Sequence, residues 1–381
     1  MVHTKSDLKQ MQSLPLEAKI IMSQQRIKVW YENWCKFEIV NDKNPKKPKI
    51  RYVTLDTRDY REPELKDYEY INHVYDGQVY VSFSGGKDST VLLHLVREMY
   101  PDVEAVFVNT GLEYPEIQNF VKTFDNVTIL RPEMRFDEVI KKYGYPMISK
   151  SVANCVRGAK LGQKSRLNLL NGLNCDGSDT KSKFSKAKYK PLLDVDFEVS
   201  EMCCDVMKKK PAYTFQRQSG KKPIIATMAT ESILREKNWV KSGCNAFEDK
   251  YPKSQPMSFW TEQDVLQYIK KYNIHIASVY GDVVYSENPE QMRLEEYGTD
   301  KLETTGCDRT GCIFCGFGCH LEKGKSRFER LKETHPHQYD YCLNGGEYDK
   351  NGTWKPNKQG LGMKHVFDEL NKIYGADFIK Y

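Results

Sequence analysis

Short runs with the character of buried strands alternate along the chain with stretches of helical periodicity. Val79-Tyr80-Val81-Ser82-Phe83 is rich in β-branched and aromatic residues and reads as a buried strand. From Thr90 to Met99 the apolar positions Val91, Leu92, Leu95 and Val96 recur at the spacing of one helix face. Residues 104–109 predict a second strand, 127–130 a third followed by a helix over 136–143, and 222–227 the next. This order predicts an α/β fold, a doubly wound and mostly parallel sheet with flanking helices. Upstream, Ser13 and Pro15 signal a helix start, and Leu16, Ile20, Ile27, Trp30 and Trp34 mark one buried stripe. Downstream, Thr261 with Asp264 three residues later predicts an N-cap for a helix carrying Val265, Leu266 and Ile269 and ending near Asn273. The polar tract 41–69 reads as an inserted loop or small hairpin, and Asn171–Lys190 as a flexible excursion.

The junction between the first strand and its helix is Ser84-Gly85-Gly86-Lys87-Asp88-Ser89. Glycines let backbone approach oxygen atoms closely, and a new helix offers unpaired N–H groups and a positive dipole end. The sequence therefore predicts a phosphate cradle, with Lys87 as a cation, Asp88 as a partner for Mg²⁺, and hydroxyl donors at Ser84 and Ser89. It lacks the G-x-x-x-x-G-K-[ST] spacing of the common ATPase loop. It resembles instead the PP-loop, Ser-Gly-Gly-x-Asp-Ser, whose families adenylate with pyrophosphate release or reduce sulfur. Ligands of doubly wound sheets lie beyond the carboxyl ends of the strands, so Thr110, Gly111 and Glu113 after the second strand are expected beside the cradle. Lys150 and Arg235 are further candidates for the nucleotide. The expected organisation is an N-terminal helix and polar insertion over 1–75, a PP-loop nucleotide-binding α/β domain over 76–300 and a Cys-rich C-terminal region over 301–381.

Charge refines the choice of partner. The net charge is +6, yet residues 141–190 hold twelve Lys or Arg against Asp176 and Asp179, a local excess of +10 that leaves the rest acidic by four. Such a segment suits nucleotide phosphates or a nucleic-acid backbone, and a solvated surface loop is the plainer alternative. No apolar run approaches the ~20 residues that span a bilayer, and the N-terminal residues lack an apolar signal region. The expectation is a cytoplasmic chain with no membrane partner, whose eleven cysteines are ligands, catalysts or buried thiols rather than disulfides.

Two cysteine features stand out: the tandem Cys203-Cys204, and the run Cys307, Cys312, Cys315, Cys319 with its Cys-x-x-Cys knuckle. A zinc ion could use Cys307, Cys312, Cys315 and Cys319, whereas a four-iron cluster could use Cys203, Cys204, Cys312 and Cys315. Adjacent cysteines diverge, which suits the corners of a cluster better than one small ion, and reduced thiols without metal are the third reading. Cys35, Cys155, Cys175 and Cys342 have no partner spacing, and Cys244 is intermediate.

Ser84–Ser89, Val106–Glu113, Tyr143-Gly-Tyr-Pro-Met-Ile-Ser-Lys150, the Cys203-Cys204 pair with its lysines and Pro211, and Gly311-Cys312-Ile-Phe-Cys315 together resemble the phosphoadenosine phosphosulfate reductase family over roughly residues 76–335. The resemblance implies an adenine nucleotide alpha-hydrolase-like fold binding ATP or an adenosine phosphosulfate. It also implies a 4Fe–4S cluster on Cys203, Cys204, Cys312 and Cys315. The family's nucleophilic cysteine, in Glu-Cys-Gly-Leu-His near the C-terminus, has no counterpart here; Cys342 and Cys319 lack matching surroundings. Three functions follow. One is adenylation and sulfur transfer, to nucleic acid through the basic segment and with a sulfur or electron donor protein. The second is phosphosulfate reduction to sulfite, with Lys150, Arg157 and Arg235 as anion clamps. The third is a non-catalytic nucleotide-binding accessory role.

Overall fold

The computed structural model describes residues 3–41, 49–54, 70–180, 185–286 and 301–381. Parts of the polar tract (42–48 and 55–69) and of the basic segment (181–184) lie outside the described residues. Two compact units emerge: Met1–Val108 with Pro115–Leu130 and Tyr213–Arg309, and Asn109–Tyr114 with Arg131–Ala212 and Thr310–Tyr381.

The first unit is built on a six-stranded sheet. Its order is Val127–Leu130, Ala105–Val108, Val79–Ser82, Lys222–Ile225, Lys253–Ser254, Asn245–Ala246, parallel throughout except for the last strand. The chain moves outward from Val79–Ser82 through two strands and then returns to its other side at Lys222–Ile225. Strand order reverses there, at the position where α/β sheets bind their ligands. The expected α/β architecture is therefore present. Helix Lys87–Met99 covers the sheet with Val91, Leu92, Leu95 and Val96, all fully buried, as its periodicity requires. The helix begins three residues earlier than the apolar pattern indicates. Gly86 is its N-cap and its carbonyl accepts from the side chains of Ser89 and Thr90, so the polar end of the cradle already forms the first turn.

The N-terminal stripe forms helix Leu16–Asn33, preceded by a short helix Lys5–Gln12, with Ile27 and Trp30 fully buried. The capping box at Thr261 starts helix Glu262–Lys271. The insertion contributes a three-stranded antiparallel sheet, Lys49–Thr54, Cys35–Asn41, Tyr70–Gly77. Among the described residues no helix is long and apolar enough to cross a membrane.

One buried ion pair locks two of these helices. Lys19 Nζ donates to both carboxylate oxygens of Asp264, at 2.8 and 2.7 Å, and to the Gln12 carbonyl. Removing one partner strands the other charge in the core, so Lys19→Met is expected to cost about 3–5 kcal/mol of unfolding free energy. Lys19→Met with Asp264→Leu should recover most of that loss; urea denaturation of both variants checks it.

The second unit carries helices Phe136–Tyr143, Lys150–Lys160, Lys164–Leu170, Arg327–Thr334, Pro336–Leu343 and Met363–Tyr374. The motif Tyr143–Lys150 is its organising segment, with the two-residue strand Met147–Ile148 at its centre. Gly144 has φ +111°, and a Cβ there would lie 2.5 Å from the Glu198 backbone, so only glycine permits this approach. Tyr145 then donates to Glu198 and accepts from Ser200, while Met147 and Ile148 pair in parallel with Gly316 and Phe317. Gly316 is constrained as well, with the Pro146 carbonyl oxygen 2.7 Å from where its Cβ would stand. One short segment thus holds the chain entering Cys203 and the chain leaving Cys315.

Candidate nucleotide and cysteine sites

In the first unit, Ser82 runs into Ser84–Ser89, and the thirteen-residue helix after it has no side-chain cap. Ser89 Oγ accepts from the Ser84 amide at 3.1 Å and lies 3.0 Å from Ser84 Oγ, closing the loop into a ring of donors. Gly85 has φ +71° and its missing Cβ would lie 2.8 Å from the Cγ2 atoms of both Ile117 and Val121. Serine hydroxyls at the positive end of a helix dipole are groups that suit an anion.

Lys87, Asp88 and Arg235 were legible in sequence, but the partners that hold these charges were not. Lys87 is 3% exposed; its amide donates to the Tyr280 hydroxyl at 3.2 Å. Its ammonium donates to the Asp308 carbonyl and pairs with Glu262 Oε1 at 2.9 Å. The lysine reaches a phosphate only by giving up these partners. Asp88 Oδ1 is buried and has no hydrogen-bond partner among the described residues. Burial pushes its pKa up, Lys87 opposes this, and the charges of Glu231 and Arg309 also reach it. Arg235 and Arg309 share Glu231, whose Oε1 also accepts from the Met228 amide at 3.0 Å.

The second unit holds the other candidates. Glu113 accepts from the Thr110 amide at 3.0 Å and from its hydroxyl at 2.8 Å, and lies 3.7 Å from Lys208 Nζ. Gly111, φ +75°, completes this turn. Cys203, Cys204, Cys312 and Cys315 line one cavity of about 20 Å³ with Leu112, Met207 and Lys208. The tandem pair opens a helical run whose next five residues, Asp205–Lys209, form a π turn. Cys315 N donates to the Cys312 carbonyl, closing the knuckle, and Ile313 N donates to Leu112.

The Cys203 thiol donates to Cys204 Sγ at 4.0 Å. That bond, assisted by Lys150 and opposed by burial, lowers Cys204 to about 6, while the same bond and burial raise Cys203. Burial pushes Cys312 up to about 11 against the pull of Lys208, and it raises Cys315 as well. Burial disfavours the Lys208 ammonium, but Cys312 and Glu113 outweigh it and its pKa rises. Among the described residues no three His, Cys, Asp or Glu side chains converge closely enough to hold a single ion.

Among the other described cysteines, Cys175 is exposed and several thiols are engaged elsewhere. Cys319 donates to the Gly316 carbonyl at 3.1 Å, and Cys342 is fully buried with its thiol 3.4 Å from Met363 Sδ. Cys244 is buried against Ser258, and Cys307 belongs to the first unit.

Comparison with known proteins places this geometry. The family model for the phosphoadenosine phosphosulfate reductase domain matches residues 78–316. An uncharacterized protein of Methanocaldococcus jannaschii is 24% identical over 304 residues, 77% of this chain and 54% of that protein. An adenosine 5'-phosphosulfate reductase of Bacillus cereus is 27% identical over 93 residues, 23% of this chain and 40% of that one. A phosphoadenosine 5'-phosphosulfate reductase of Buchnera aphidicola is 39% identical over 56 residues, 15% of this chain and 22% of that one. The chain thus spans about half the length of the first of these relatives and less of the other two. A solved phosphoadenylyl-sulfate reductase of Candida auris, in a phosphate complex, covers 53% of this chain and 75% of its own at 13% identity and a TM-score of 0.31. The family match takes in the Ser84–Ser89 loop, the Tyr143–Lys150 segment and all four cavity cysteines: the chain belongs to the phosphoadenosine phosphosulfate reductase domain family.

Proposed function

We propose that the chain is a PP-loop enzyme of sulfur metabolism that adenylates an acceptor with ATP and then exchanges the adenylate for sulfur. The observation that carries this reading is Asp88, whose buried, unpartnered carboxylate oxygen stands in the first turn after the phosphate loop. Such an oxygen suits Mg²⁺ shared with the pyrophosphate of ATP. An acceptor oxygen attacks the α-phosphorus, the bond to the bridging oxygen breaks, and pyrophosphate leaves with the electron pair. The loop amides and helix dipole stabilise the charge that develops on it. Hydrosulfide from a sulfur donor then attacks the activated carbon; the C–S bond forms as the C–O bond breaks and AMP leaves.

Cys203, Cys204, Cys312 and Cys315 would hold a 4Fe–4S cluster, which supplies electron and sulfide chemistry when bound. The donor set suits it: four thiols line one cavity, with Lys150 and Lys208 offsetting thiolate charge. Zinc on Cys307, Cys312, Cys315 and Cys319 fits less well, because Cys319 bonds to a carbonyl and neither it nor Cys307 lines the cavity. Of the basic segment, Arg157 and Lys160 are paired with Glu201 and Glu198, whereas Lys141, Lys142, Lys164, Lys188 and Lys190 are exposed and suit a nucleic-acid acceptor.

Reduction of an adenosine phosphosulfate, the activity named for two relatives, is the second reading. It needs a thiol outside the four; Cys244, Cys319 and Cys342 are buried, which leaves the exposed Cys175 and the half-buried Cys307 as the accessible thiols among the described residues. Product analysis separates the readings. AMP and pyrophosphate from ATP are expected. ADP and phosphate would exclude adenylation, sulfite release with a dithiol reductant would favour reduction, and ATP binding without turnover would favour an accessory role.

A further inference from the structure

A cation beside the phosphate loop is free to change partners, and its place is fixed by a strap of chain that sequence patterns do not reveal. Residues 304–309 run alongside 279–282. Thr305 N donates to the Asp282 carbonyl, Gly306 N to Tyr280 and Cys307 N to Val279, at 3.0, 2.8 and 2.9 Å. The contact admits no side chain: a Cβ on Gly306 would lie 2.4 Å from the Val279 carbonyl oxygen, and one on Gly281 2.2 Å from Thr305 Oγ1. The strap is therefore positioned by backbone, and its end carries Asp308, whose carbonyl accepts from Lys87, and Arg309.

Two cations flank the loop, and their situations differ. Lys87 is itself buried and held by Glu262 and the Asp308 carbonyl, so redirecting it would strip a buried ammonium of both partners. The Arg309 side chain is 62% exposed and, among the described residues, makes one ion pair, 2.6 Å from Glu231 Oε2. If Arg309 leaves, Glu231 keeps Arg235 and the Met228 amide, so no buried charge is orphaned. The charge of Arg309 already reaches Asp88 in the first turn of the loop's helix. A planar guanidinium is also the cation best matched to paired phosphate oxygens.

We infer that Arg309 is a phosphate clamp for the bound nucleotide, resting on Glu231 and transferring to the phosphate chain when ATP occupies the Ser84–Ser89 loop. The inference deepens the ATP reading above and rests on it. Glu231 is then a positioning residue, which keeps the guanidinium near the loop.

The test is titration calorimetry of the full chain with Mg-ATP and, separately, adenosine. Arg309→Ala should weaken ATP binding about 10- to 100-fold, the worth of charge-assisted hydrogen bonds, and leave adenosine binding within about twofold. Arg309→Lys should recover part of the loss, and thermal unfolding of each variant confirms the fold. Unchanged ATP affinity in Arg309→Ala, or equal losses for ATP and adenosine, would overturn the clamp alone. No ATP binding by the wild-type chain would overturn both the clamp and the ATP reading. ATP binding with ADP as product would overturn adenylation and leave the clamp standing.

Discussion

Gly85→Ala should abolish nucleotide binding and destabilise the first unit. At φ +71° an alanine is strained by about 1–2 kcal/mol, and its methyl would lie 2.8 Å from two branched side chains, Ile117 and Val121. Those residues belong to helix Pro115–Val121 and are 2% and 1% exposed, so they have no free space to yield into. Overpacking of this kind typically adds about 1–3 kcal/mol. The loop is the softer side of the contact, because Ser84 is exposed while the helix is packed. Relief by loop displacement breaks the Ser84–Ser89 ring and turns the cradle amides away from the phosphates. The expected result is a fall in ATP affinity of more than about 100-fold, roughly the loss of two charge-assisted hydrogen bonds, with a lowered denaturation midpoint. Gly220→Ala is the control, since its Cβ would meet nothing within 4 Å and only the backbone strain of φ +74° remains. Equal ATP affinity for Gly85→Ala and wild type would refute this account of the loop.

What sequence could reveal here divides by range. Strand 79–82, its loop and its helix are contiguous, so composition and periodicity specified them, and only the helix onset moved, from Thr90 to Lys87. The parallel sheet followed from the alternation of elements. The cradle's electrostatics did not, because Glu231, Glu262, Tyr280, Asp308 and Arg309 reach it from segments 140 residues or more away in the chain. Their chemistry is unmarked locally: Glu262 opens an ordinary capped helix, and Arg309 sits among cysteines that draw attention to a metal. The glycines show the same limit. Gly144 and Gly316 look like turn residues, yet their role is to let two distant segments approach, which only the folded contact reveals. The Tyr143–Lys150 motif entered by resemblance alone, and the structure supplies its physical reason.

Replacing Cys203 and Cys204 together by serine should eliminate iron and sulfide uptake, as should replacing Cys312 with Cys315. These four thiols line one cavity, and the tandem pair and the knuckle are brought to it by the same Tyr145–Ile148 segment. Removing either pair leaves two ligands, too few to hold a cluster. Cys319→Ser and Cys342→Ser should leave loading intact, because one thiol bonds to the Gly316 carbonyl and the other abuts Met363. Loading should also strengthen as pH rises. Burial holds Cys312 near 11 and raises Cys315, so these thiols are protonated at neutral pH in the metal-free chain and must release protons to become ligands. Fewer protons need displacing at higher pH, which fixes the sign. Anaerobic reconstitution followed by iron, sulfide and zinc counts and visible absorption measures each point. One zinc per chain, retained in the Cys203/Cys204 variant and lost from Cys307→Ser or Cys319→Ser, would replace the four-cysteine cluster with the alternative ligand set.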